Sequence, residues 1–124
     1  MDVRLSEAEW EVMEVLWSAG QPLTAADIAS RVPDDRDWQM ATVKSLLSRL
    51  LAKGAVSPDK DGRRFLYSPV IERDSYVGGE SRRFVDRLFG GRLSPLIAHL
   101  AEEEALSASD VAEIEALLAR LRGQ

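Results

Sequence analysis

Apolar residues recur at helical spacing in the first part of the chain and predict three short helices. The segment SEAEWEVMEVLW begins with Ser6 and Glu9 in the arrangement of a capping box, and its apolar residues recur every three or four positions. A second short helix, TAADIASRV, follows a break at Gly20 and Pro22. The third covers about residues 40–53, and its valine and leucines fall on one face, which predicts that this face is buried.

A hairpin pattern follows the third helix. Asp61 and Gly62 form a strong signal for a tight turn, and Phe65 and Tyr67 alternate with an intervening leucine as residues of a strand do. Three helices and then a hairpin are the order of a winged helix, whose third helix can enter the DNA major groove while the wing touches the backbone. The pattern therefore predicts a mostly α fold with a small β wing, in which residues 1–72 form a winged helix-turn-helix DNA-binding domain.

Residues 73–124 have a different pattern, with apolar stripes but too little chain to build a second core. A fourth helix is expected from Asp74 or Ser75, and a fifth is expected to begin with Ser94 as its cap and Pro95 as its first helical residue. The last helix repeats its apolar residues near the 3.5-residue period of a helix–helix seam. We therefore expect a C-terminal helical dimerisation region; the alternative is that these helices pack back on the N-terminal domain. The residues expected to form the homodimer interface are Tyr76, Phe84, Leu88, Leu96, Ile97, Leu100, Val111, Ile114, Leu117, Leu118 and Leu121.

The composition is that of an ordinary globular protein. The 124 residues are 45% hydrophobic and 30% charged, and they include no cysteine, which excludes disulfides and thiolate metal sites. No apolar run approaches the roughly 18 to 20 residues that span a bilayer. These features predict a cytoplasmic protein that does not bind membranes directly.

Charge is distributed unevenly along the chain. The formal net charge is -5, yet the stretch from Arg36 to Arg64 holds seven basic and three acidic residues. A local basic surplus in an acidic protein indicates contact with a polyanion at that place. For Tyr67, a buried ring with a satisfied hydroxyl is an equal alternative to a phosphate contact. The expected DNA-binding residues are Thr42, Lys44, Ser45, Ser48, Arg49, Lys60, Arg63, Arg64 and Tyr67.

The motifs of several common enzyme classes are absent from the sequence. It contains no phosphate-binding GxxxxGK[ST] loop, no GxSxG elbow and no HExxH zinc motif, so neither an enzyme nor a cofactor is expected. His99 is the only histidine, and a single imidazole without neighbouring ligands does not make a metal site. No catalytic residue and no bound metal are therefore predicted.

Three segments in this order, LSEAEWEVMEVLW, TVKSLLSRLLAKGAV and DGRRFLYSPVI, resemble the penicillinase-repressor family of BlaI and MecI type, to which the copper-responsive CopY repressors are related. The resemblance covers nearly the whole chain. It implies a homodimeric winged-helix repressor that binds a double-stranded DNA operator with dyad symmetry, often upstream of resistance genes. It also implies a membrane-bound metalloprotease sensor, which relieves repression by having the repressor cut within its dimerisation region.

The chain departs from the family pattern at three places. The copper-responsive members carry a C-terminal cysteine cluster that is missing here, so copper sensing through thiolates is not expected. The β-lactam repressors are cut at an Asn-Phe pair, where this chain aligns His99 and Leu100; these two residues are the candidate cleavage site. Ala41 occupies a position of the third helix that often carries a longer polar or basic residue in the family, which indicates a different operator preference.

Two other functions fit the same pattern. A winged helix can also serve as a protein-interaction module, with the third helix and the wing docked on an acidic partner. Salt distinguishes the two, because DNA binding through counterion release weakens far more steeply with salt than apolar docking does. A ligand-responsive regulator would keep DNA binding and add a small-molecule pocket among the C-terminal helices, near Phe84, Leu88, Leu96 and Ile97.

Overall fold

In the residues that the structure describes, the backbone consists of a group of helices, then a hairpin, then three more helices. The computed structural model describes residues 3–123, with Asp34 described by its backbone alone. This mostly helical architecture with one small antiparallel sheet in the described residues confirms the predicted fold class. The elements are α1 (Glu7–Ala19), α2 (Ala25–Arg31), a 3₁₀ helix (Asp34–Arg36), α3 (Met40–Ala52), β1 (Val56–Asp61), β2 (Arg64–Pro69), α4 (Arg73–Phe89), α5 (Leu93–Glu102) and α6 (Ala108–Leu121).

Side-chain caps determine where α1 and α2 begin. The Ser6 hydroxyl accepts a hydrogen bond from the Glu9 amide (3.1 Å), and the Glu9 carboxylate accepts one from the Ser6 amide (2.7 Å). Thr24 and Asp27 form the same reciprocal pair at the start of α2. These bonds satisfy amide groups that have no partner inside a helix. The α1 helix ends at Gly20, whose φ of 67° lies in the left-handed region that glycine adopts without strain.

The core of the N-terminal part lies among α1, α2 and α3 and extends to the start of the hairpin. It is built from the apolar face that each helix directs inward, together with the first residues after α3. Because one face of α3 is fixed in this core, its opposite face is held outward. The buried apolar residues are Val12, Met13, Leu16, Leu23, Ile28, Val43, Leu46, Leu47, Leu50, Ala55 and Val56.

The wing is a two-stranded antiparallel hairpin of β1 and β2. Its turn consists of Gly62 and Arg63, and Gly62 has a φ of 67°, which an L side chain rarely adopts. Leu23, just before α2, pairs with Tyr67 of β2 through backbone hydrogen bonds of 3.1 and 2.7 Å. This bridge attaches the hairpin to the helical part and fixes the position of the wing beside α2.

The first turn of α4 is attached to α1 by an aromatic cluster. The Tyr76 hydroxyl accepts a hydrogen bond from the Leu5 amide (3.0 Å), and its ring centroid lies 5.7 Å from that of Trp10. The indole of Trp17 packs edge-to-face on Trp10 at 5.4 Å and donates to the carbonyl of Ile71 (3.0 Å). Tyr76 is therefore partly buried against the N-terminal part, and its assignment to a dimer surface stays a prediction.

The chain divides into two compact units, Met1–Val77 and Gly78–Gln124, and the boundary falls inside α4. In the second unit the start of α5 differs from the sequence prediction. Its N-cap is Arg92, without a side-chain capping bond, so Ser94 and Pro95 are the second and third helical residues rather than cap and first residue. Proline is tolerated there because amides of the first turn have no partner inside the helix.

Candidate nucleic-acid interface

The face of α3 opposite the core carries the polar residues that the sequence predicts to bind DNA. Thr42, Lys44, Ser45, Ser48 and Arg49 are all exposed, whereas the valine and three of the leucines of the same helix are buried. Short hydroxyl side chains let a helix approach base edges closely, and the two cations can neutralise phosphates. The exposed face of α3 is therefore suited in shape and charge to a groove of DNA.

Ion pairs separate the seven basic residues between positions 36 and 64 into two groups. Three are held in pairs: Arg36–Glu11 at 2.5 Å, Lys53–Glu9 at 2.6 Å and Arg64–Asp61 at 3.0 Å. The other four are Lys44 and Arg49 on α3, and Lys60 and Arg63 on the wing. We call these four the free cations, because they form no ion pair or hydrogen bond with any residue that the structure describes. All four are exposed and available to an external anion.

The two arginines of the wing differ in their surroundings. Arg63 lies in the turn, at the tip of the hairpin, and is exposed. Arg64 donates to the carboxylate of Asp61 from Nε (3.2 Å) and from Nη2 (3.0 Å). A phosphate would have to compete with Asp61 for Arg64, whereas Arg63 is unoccupied within the described part of the chain. Of the two, Arg63 is the better phosphate ligand.

A groove of about 540 Å³ lies between α2, α3 and the wing. Lys44, Arg63 and the half-buried ring of Tyr67 line it, together with two exposed apolar residues, Met40 (40% exposed) and Phe65 (47%). No pattern in the sequence assigns Met40 or Phe65 to this face, because the exposure of an apolar residue depends on how helix and wing pack. Apolar side chains among cations can contact thymine methyl groups.

The C-terminal end of α3 is anchored to the start of α1 by Lys53. Its ammonium group donates to the carboxylate of Glu9 and to the carbonyl of Arg4, both at 2.6 Å. Glu9 is only 1% exposed, and its burial works to raise its pKa. The hydrogen bonds from Lys53 and Ser6 outweigh burial and hold the pKa of Glu9 below its ordinary value. Glu9 is therefore ionised at neutral pH, and the pair fixes the orientation of α3.

The second unit leaves much of its apolar surface uncovered. No residue of α5 or α6 is fully buried in the single chain. The side chain of Leu121 is 82% exposed, although it continues the apolar stripe of α6. Of the residues that the sequence assigns to a dimer interface, Phe84, Leu88, Val111, Leu117, Leu118 and Leu121 are exposed, and Leu96, Ile97, Leu100 and Ile114 are partly buried.

His99 and Leu100, the candidate cleavage site, both lie inside α5. His99 is exposed and its ring centroid is 5.8 Å from that of Phe89, while Leu100 is partly buried. Among residues 3–123, no group of three histidine, aspartate or glutamate side chains is arranged to hold a metal ion. Within the same range, no helix combines the length and apolar character needed to cross a membrane.

Comparison with known proteins decides the family. The model of the penicillinase repressor family matches residues 5–120. The chain belongs to this family. It is 30% identical over 115 residues to the penicillinase repressor of Bacillus licheniformis, an alignment that covers 93% of this chain and 89% of that protein. It is also 30% identical over 114 residues to the methicillin resistance regulatory protein MecI of Mammaliicoccus sciuri, covering 92% of each chain.

A solved structure of a BlaI repressor on DNA matches more than half of the chain. This is the solution structure of the monomeric form of Bacillus licheniformis BlaI in complex with the blaP half-operator. It is 32% identical, with a TM-score of 0.51, and the match covers 60% of this chain and 92% of that one. The match confirms the winged-helix fold and the resemblance read from the sequence. The family is one of DNA-binding transcriptional repressors rather than enzymes.

Proposed function

We propose that the protein is a homodimeric, sequence-specific transcriptional repressor that binds a double-stranded DNA operator with dyad symmetry. The observation that carries the proposal is that the four free cations lie on the wing and on the same exposed face of α3 as Thr42 and Ser45, in a chain of net charge -5. These are the two elements with which a winged helix contacts the major groove and the backbone. Binding to an operator means that the protein acts in the cytoplasm.

The proposed contacts divide into base reading and backbone binding. Thr42 and Ser45 lie in the first half of α3, the part of a recognition helix that usually meets base edges. We assign backbone binding to the four free cations, with Ser48 and the Tyr67 hydroxyl as neutral phosphate donors. Arg64 contributes less, because Asp61 already holds its guanidinium.

A second copy of the chain is the proposed occupant of the exposed apolar face of α4–α6. A winged helix reads one half-site, so an operator with dyad symmetry requires two DNA-binding units related by a two-fold axis. We call each such unit a head. The apolar stripe of α6 and the exposed side chains Phe84 and Leu88 of α4 would form this surface, and the partner would contribute the same set of residues. Burying a leucine contributes roughly 1.5–3 kcal/mol, so a few such pairs suffice for a stable association.

Derepression by proteolysis is the finer part of the proposal. A cut between His99 and Leu100 would separate α6 from the DNA-binding unit and so remove more than half of the residues assigned to the dimer surface. Because both residues lie inside α5, a protease reaches this bond only after the helix opens locally. The proposed partner for this step is a membrane-bound metalloprotease sensor, which would link an external signal to release of the operator.

Arg63→Ala is expected to weaken binding to selected and random DNA alike. Because one phosphate is no longer neutralised, the slope of log affinity against log salt should become shallower by about 0.9. The measurement is a fluorescence anisotropy titration of short duplexes over a series of salt concentrations. Arg64→Ala is the matched control: it removes the same charge from the same hairpin, but from a residue already paired with Asp61, so its slope should change less. An unchanged slope for Arg63→Ala would contradict the phosphate contact, and a wild type that binds no duplex even at low salt would favour docking on a protein.

Ser45→Ala is expected to alter discrimination between operator variants more than affinity for random DNA. If the hydroxyl contacts a base edge, its removal should cost roughly 1–3 kcal/mol on the preferred sequence. Ser48→Ala, about one turn further from the start of α3, serves as the control and should affect all sequences equally. The measurement is competition binding with duplexes that differ at single base pairs. An equal reduction in affinity on every sequence for Ser45→Ala would move this residue to the backbone contacts.

A further inference from the structure

The α4 helix contains two adjacent glycines, Gly78 and Gly79, in its interior. Glycine is the poorest helix former after proline, because it loses the most backbone freedom on folding and leaves the backbone open to water. Two in succession weaken the hydrogen bonds of the surrounding turn. By intrinsic propensity, this turn is the weakest in the 17-residue helix.

Neither glycine is required by the local geometry. Both lie outside the positive-φ region, in contrast to Gly20 and Gly62, which terminate a helix and form the wing turn. A Cβ added at Gly78 would meet nothing within 4 Å. At Gly79 it would meet only the guanidinium of Arg83, at an ordinary contact distance of 3.8 Å. Alanine fits at both positions, so packing does not explain the pair.

The glycines coincide with the boundary between the two compact units, which falls between Val77 and Gly78. On the N-terminal side, Tyr76 is bonded to Leu5, and the Arg73 guanidinium stacks over Trp10 at 5.4 Å. The part of α4 before the boundary is thus attached to the DNA-binding unit. The part after it belongs to the second unit, where the rings of Phe84 and Phe89 lie 6.4 Å apart.

We propose that Gly78 and Gly79 form a hinge in α4 that determines which half-site spacings the repressor accepts. This inference rests on the proposed dimeric function. In a dimer, each head is joined to the shared C-terminal part through one copy of this hinge. Each base pair inserted between two half-sites rotates one of them by roughly 35° and moves it by about 3.4 Å along the helix axis. Bending and twisting at the hinge lets the second head follow that displacement.

The test compares wild type with the double variant Gly78→Ala/Gly79→Ala, and Ser81→Ala serves as the control. Ser81 is an exposed residue of the same helix, so its replacement raises helix propensity without removing a glycine. The probe is a half-site obtained with the full-length protein from a pool of random duplexes. Affinities are then measured for one copy of this half-site and for inverted pairs whose spacing is changed one base pair at a time.

Wild type and Ser81→Ala are expected to keep most of their two-site affinity when the spacing changes by one or two base pairs. The double variant is expected to match the affinity of wild type at the best spacing. When the spacing changes by two base pairs, its affinity should be about 100-fold lower than that of wild type, because its two heads can then no longer bind both half-sites at once. Identical spacing profiles for the variant and wild type would overturn the hinge and leave the dimer intact. A wild type that binds paired and single half-sites equally would overturn the dimer, and with it the role of the hinge.

Amide hydrogen exchange gives a second readout that does not depend on dimerisation. In wild type, the amides of residues 78–83 should exchange faster than those in the rest of α4, after correction for intrinsic rates. In the double variant, exchange of these amides should be roughly 10- to 30-fold slower, since each glycine-to-alanine change raises the equilibrium constant for helix formation several-fold. Uniform exchange along α4 in wild type would show that no hinge exists at this position.

Discussion

Leu117→Asp in the full-length chain is expected to convert the protein to a monomer and to lower its affinity for a paired-half-site operator by about 10²- to 10⁴-fold. Leu117 lies in the apolar stripe of α6 and is 48% exposed in the single chain. In a dimer this position would be covered by the partner, so an aspartate there would be buried without a counter-ion. The folded head should remain, because Leu117 belongs to the other unit.

The two measurements are sedimentation equilibrium and operator titration on the same samples. Ala116→Asp is the matched control, since it places the same charge on the neighbouring residue, which lies on the opposite side of α6 from the stripe. This variant should remain a dimer. A wild type that is monomeric at micromolar concentration and still binds the paired operator tightly would contradict the dimer mechanism.

Lys53→Ala is expected to lower the free energy of unfolding by roughly 1–3 kcal/mol at neutral pH, because it removes the partner of a buried, ionised carboxylate. The loss is smaller than for a fully buried pair, since the Lys53 side chain is 37% exposed and solvent screens the interaction. Glu9 has no other cation within hydrogen-bonding distance among the described residues, and its Oε2 atom has no hydrogen-bond partner there. Without Lys53, a main cause of the lowered pKa of Glu9 is removed, so burial raises this pKa relative to wild type. The destabilisation should therefore be largest when Glu9 is ionised in both proteins and should shrink at acidic pH, as the carboxylate becomes protonated.

In wild type, the stability that Glu9 contributes rises with pH in the acidic range. The pKa of Glu9 is held below its ordinary value of 4.5, so its contribution to stability is complete above that pH and disappears as the pH falls through the lowered pKa. Urea unfolding of both proteins at about pH 4 and about pH 7 measures the difference. Adding Glu9→Gln to Lys53→Ala removes the buried charge and should restore part of the stability. Equal destabilisation at the two pH values would contradict the assignment.

Periodicity predicted the fold because burial follows it directly. The apolar spacing of α3 is enough to identify its buried face, and Ser6 and Glu9 are enough to place the start of α1. The start of α5 was misplaced because a Ser-Pro pair is a common cap, whereas the observed cap, Arg92, makes no side-chain bond that a pattern could indicate. Local signals predict local structure only where the side chain itself makes the bond.

Residue type predicted the candidate site only in part. Seven basic residues in one stretch indicate a polyanion contact, but three of them are occupied by ion pairs. Two of these pairs, Arg36 with Glu11 and Lys53 with Glu9, join residues 25 and 44 positions apart, so they exist only once the helices have packed. The contact of Tyr76 also depends on the tertiary fold. Its place in an apolar pattern suggests a dimer seam, whereas in the folded chain its ring packs against that of Trp10.

The bond between Leu5 and Tyr76 has a consequence for synthesis of the chain. It joins residues 71 positions apart, so the DNA-binding unit reaches its final packing only after residue 76 has left the ribosome. At about 5–20 residues per second, Leu121 is added roughly 2 to 9 seconds after Tyr76. Small domains fold within that time. The head can therefore be folded before the leucines of α6 emerge. When these apolar side chains are first exposed, the core of the N-terminal unit has already formed.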